Sequence, residues 1–90
     1  MTKEQAISAV IDELKRNGYY NIKIGWSEKH SDGTFAVEVT YNWRLNAWEK
    51  NVHQIYHCVD TPNGIIATSA GYSLDYEERN KETGEHIKWV

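Results

Sequence analysis

The chain has one cysteine, one proline, one methionine and one phenylalanine in 90 residues. A single thiol, Cys58, excludes an internal disulfide and a four-cysteine zinc site, so a stapled secreted scaffold is ruled out and a reducing compartment is expected. With so little proline and six glycines scattered without period, a collagen-like fibre is excluded as well. No long uncharged run offers a membrane span, and no basic segment followed by an apolar run opens the chain, so a cytoplasmic location without membrane association is expected. Charge of one sign is also scarce. Ten Lys and Arg stand against thirteen Asp and Glu, a formal −3, which excludes a strongly basic nucleic-acid binder, while 40% hydrophobic content excludes a disordered tail.

Catalytic signatures are missing too. There is no G-x-S-x-G elbow, P-loop, dinucleotide-type glycine fingerprint or calcium loop, so no enzyme activity and no cofactor are expected. His53, His57 and Cys58 lie close in sequence, but in a strand the two imidazoles would stand ~13 Å apart and the thiol would point to the other face. Those positions could not share a zinc ion, so no metal site is expected unless the segment is helical. Lys23, Lys29 and Arg44 are too few to line a groove for single-stranded nucleic acid beside the aromatic residues.

What is present divides the chain in two. None of the eleven aromatic residues falls within the first eighteen positions. Residues 2–17 read as an amphipathic helix: Thr2 and Gln5 match a capping box, Ala6, Ile7, Val10, Ile11 and Leu14 form the apolar stripe, and Gly18 supplies the stop. Strands follow. Tyr20, Ile22, Ile24 and Trp26 alternate with Asn21, Lys23 and Gly25; after the turn signal at 31–33, Phe35, Val37, Val39, Tyr41 and Trp43 alternate with polar or small residues.

Residues 46–59 fit two periods. Period two sets Trp48, Val52, Tyr56 and Cys58 on one face and His53, Ile55, His57 and Val59 on the other; a helical period gathers Trp48, Val52, Ile55, Tyr56 and Val59. The β-branched and aromatic content favours a strand, with a second helix as the alternative. Beyond Gly64, alternation groups Ile66, Thr68, Ala70, Tyr72, Leu74 and Tyr76 on one face, and Ile87 and Trp89 form a short last strand.

The expected architecture is therefore α+β: one domain, residues 1–90, with the helix at 2–17 packed on a curled antiparallel meander of four to five strands over 19–90. A helix followed by such a meander resembles cystatin-like and related curled-sheet folds; that likeness implies an arrangement of layers and no function.

One helix is too small to cover such a sheet, whose apolar face would hold Trp26, Tyr41, Trp43, Trp48, Tyr56, Tyr72, Tyr76 and Trp89. Three outcomes would absorb the excess: curling, self-association, or docking of another protein. All net negative charge lies in residues 60–90, with Asp75, Glu77, Glu78, Glu82 and Glu85 clustered. Trp43, Trp48, Tyr72 and Tyr76, with Asp75, Glu77 and Glu78, are thus the candidate partner-binding residues. The expected function is a small non-catalytic binding protein acting by protein–protein contact on a protein partner or on itself as a homodimer, such as an inhibitor or adaptor of phage or mobile-element type. The alternative is a small-ligand binder or minor enzyme with a pocket between helix and sheet.

Overall fold

A computed structural model describes residues 1–89, with the side chains of residues 71–73 and 89 outside the description. Helix α1 spans Lys3–Arg16. Its start is fixed by the expected capping box: the Gln5 amide donates to Thr2 Oγ1 (3.1 Å) and the Thr2 amide to Gln5 Oε1 (2.8 Å). Glu4 in the first turn and Lys15 and Arg16 in the last complement the helix dipole. Ala6, Val10 and Leu14, spaced by four, are fully buried, while Ile7 and Ile11 are half-buried.

Five strands follow, β1 Tyr20–Lys29, β2 Phe35–Leu45, β3 Trp48–Thr61, β4 Gly64–Asn80 and β5 His86–Trp89, paired antiparallel in chain order and curled against the helix. Residues 48–61 are strand throughout, so the second-helix alternative for 46–59 falls. The two-residue β2–β3 turn relies on Asn46 at φ 55°, a left-handed conformation that asparagine tolerates. Among the described residues no helix is long and apolar enough to cross a membrane.

Two expected faces change because the strands are bulged. Between Tyr20 and Lys23, β1 carries an irregularity with Asn21 at φ 53°, so Tyr20 leaves the face of Ile22 and Ile24 and reaches Glu49 on the side away from the helix. In β4 the slip is larger: Tyr56 to His53 of β3 pairs with Ser69 to Asp75 of β4, four residues against seven. An odd excess reverses the alternation. Ala67 is buried beneath the helix and Ile66 is exposed, whereas Tyr76 returns to the helix side. Ile66 and Tyr76 therefore do not share a face.

The core lies between α1 and the near half of the sheet. Val10, Leu14, Val37, Val39 and Cys58 have no exposure and fill the space beneath the helix, with Phe35, Tyr41, Val52 and Tyr56 around them. Cys58 Sγ donates to the Ala6 carbonyl at 3.5 Å, and burial pushes its thiol pKa up, which makes it an inert packing residue. Fourteen helical residues extend only ~21 Å, against a molecule of 47 × 24 × 19 Å. The far half of the sheet is left uncovered.

Candidate functional site

The helix layer ends at Tyr19, whose ring stacks on Tyr41 with centroids 4.3 Å apart. Beyond that stack, register places three rows across β2, β3 and β4 on the helix side: Tyr41, Val52 and Tyr76; then Trp43, Lys50 and Glu78; then Leu45, Trp48 and Asn80. Lys50 is the centre of the group. Its Nζ lies 5.0 Å from the Trp43 ring centroid, 5.7 Å from that of Tyr76 and 2.9 Å from Glu78 Oε1. Each such cation–π contact contributes ~0.5–1 kcal/mol where water is near and more when it is excluded. Leu45 at the tip is 59% exposed, and an open hollow of about 270 Å³ lies between it, Trp48, Lys50 and Glu78.

Four of the seven sequence candidates thus meet: Trp43, Trp48, Tyr76 and Glu78. Asp75 and Glu77 do not join them, because odd positions in this part of β4 face the opposite side. The Tyr72 side chain and that of Trp89 lie outside the described residues. Lys50 was missed, although it is visible as one cation on the apolar face of an alternating strand, between Trp48 and Val52.

The opposite face carries a polar network in place of a continuous acidic surface. His53 on β3 bridges two strands, with Nε2 2.8 Å from Glu38 Oε2 and Nδ1 3.0 Å from Asp75 Oδ2. Hydrogen bonding to Asp75, and then to Glu38, raises the His53 pKa against the opposing effect of burial, and the bond from His53 lowers that of Glu38. The protonated ring donates to both carboxylates at once. Both ring nitrogens are thus engaged by carboxylates. Glu77 accepts from His86 Nε2 at 3.2 Å and pairs with Lys88 at 3.4 Å, and these partners lower its pKa. Three of the five carboxylates in the expected acidic cluster, Asp75, Glu77 and Glu78, are therefore paired with basic neighbours.

Gly25 makes the network possible. A Cβ there would stand 2.0 Å from Glu38 Oε1, which also accepts from the Trp26 amide at 3.3 Å. Gly25→Ala is expected to push the Glu38 carboxylate aside and return the His53 pKa toward its ordinary value, read from imidazole proton shifts in an NMR pH titration. An unchanged titration would show that Glu38 does not hold His53.

No protein-family model, curated protein or solved structure matches the chain.

Proposed function

We propose that this protein is a non-catalytic cytoplasmic binding module, of the inhibitor or adaptor kind, that grips a protein partner through the far, helix-side face of its sheet. The observation that carries this reading is the half-buried aromatic group around Lys50, which lies beyond the end of α1. Tryptophan and tyrosine supply large rigid contact area and dominate binding hot spots. Lys50 and Glu78 add a charge pair to that surface, suited to a partner that presents an apolar anchor beside polar groups.

Quantitative affinity capture from source-cell lysate tests it, with wild type, Trp43→Ala and Trp48→Ala as baits. One protein should be recovered by wild type and lost by a factor of about 30 with either variant, the equivalent of a 2 kcal/mol hot spot. Undiminished recovery by both variants, with unaltered circular dichroism, would remove this face as the binding surface.

A further inference from the structure

The two edges of the sheet are protected very differently. β1, at one edge, is interrupted by two irregularities and carries Lys23, Glu28 and Lys29, features that discourage pairing with another chain. At the other edge, β5 pairs only with Tyr76–Arg79, so among the described residues no strand covers β4 from Gly64 to Asp75. No charged residue lies between Asp60 and Asp75, and the sole proline there, Pro62, sits in the turn before β4.

The first part of this edge is regular and open. Thr61 and Gly64 close a two-residue turn as a hydrogen-bonded pair, so alternation directs the N–H and C=O of Ile65 and Ala67 away from β3. Alongside runs a groove of about 520 Å³, floored by Ile65–Thr68 and walled by Gln5, Ser8, Ala9, Asp12 and Arg16 of α1. On the opposite face, Ile66 is 52% exposed and its direct cross-strand neighbour Val59 44% exposed, an apolar pair next to the open backbone.

We infer that this edge pairs antiparallel with the same edge of a second copy, joining two sheets into one of ten strands. A two-fold axis perpendicular to the sheet brings β4 against β4 and keeps both helices on one side. Self-pairing meets no like charges along the strand, because the segment has none. The helix wall likewise sets no like charges opposite each other. The two-fold reverses α1, setting its uncharged stretch, Gln5 to Ala9, toward the stretch of the copy that carries Asp12, Glu13 and Arg16. Ile66 is then withdrawn from water against the neighbouring strand.

The intact chain, followed by light scattering and sedimentation from micromolar to millimolar concentration, provides the test. The mass should rise toward twice 10.5 kDa, and amide exchange at Ile65 and Ala67 should slow as dimer forms. Ile66→Lys and Thr68→Lys, both at exposed positions, should each weaken dimerisation at least about tenfold with unchanged circular dichroism, since lysine on an edge opposes pairing. Trp43→Ala should leave the dimer intact, which separates this surface from the one proposed for the partner. A monomer at every concentration, a dimer indifferent to both lysines, or one lost with Trp43→Ala would overturn the inference.

Discussion

Leu14→Ala is expected to destabilise the protein by about 2–5 kcal/mol, the usual cost of removing a buried leucine and leaving a cavity. Leu14 has no exposure and sits at the last buried turn of α1, among Val10, Val37, Val39 and Tyr41. Among the described residues only one helix covers the core, so no second helix is available to close the void. Small domains have stabilities near 5–15 kcal/mol, and a chain of this size lies toward the lower end. The loss should lower the melting temperature by on the order of 10–30 °C. Thermal and urea unfolding followed by tryptophan fluorescence measure it, with exposed Lys15→Ala as a control expected within about 0.5 kcal/mol of wild type. A Leu14 variant that unfolds with the control would show that α1 is not required to hold the near half of the sheet together.

The second large effect is pH-dependent and arises on the opposite face. His53 has its pKa raised above the ordinary 6.5, so its contribution is complete below 6.5 and disappears as pH rises through the higher folded value. Glu38 is depressed below 4.5, so its contribution is complete above 4.5 and disappears as pH falls through the lower folded value. The two windows overlap between 4.5 and 6.5, where a protonated imidazole faces the ionised Glu38. Glu38 and His53 are each one-quarter exposed, which limits the network to on the order of 1–2 kcal/mol after solvent screening. His53→Ala should therefore cost about that much near pH 5.5, where Glu38 and Asp75 would face each other without the cation, and distinctly less near pH 8.5. Urea unfolding at the two pH values separates the alternatives. An equal cost at both would mean that packing of the ring, and not its charge, is what matters.

The division of the chain into helix and meander was legible because each element follows its own period. Thr2, Gln5 and the Ala6, Val10, Leu14 spacing mark the helix, and the faces of β3 follow the alternation of Val52, Tyr56 and Cys58 against His53 and His57. Tyr20 and Tyr76 were harder to place. Alternation is read by counting residues, and a bulge inserts residues without announcing itself in composition; Asn21 alone hints at one, through its tolerance of positive φ.

The candidate site was legible in the same partial way. Trp43 and Trp48 flank one turn and were bound to lie close, and the alternation of β4 separates Glu78 from Asp75 and Glu77. The bridge from Glu38 through His53 to Asp75 joins residues fifteen and twenty-two positions apart, and nothing local connects them.

Scarce cysteine, balanced charge and the two hydrophobic periods determined, from the sequence alone, an α+β chain whose aromatic residues exceed what one helix can bury. Tertiary structure decided where the excess lies. Strand pairing is non-local, so only the register of β2, β3 and β4 could place Lys50 among Trp43, Tyr76 and Glu78, and only the short reach of β5 could leave the edge of β4 open.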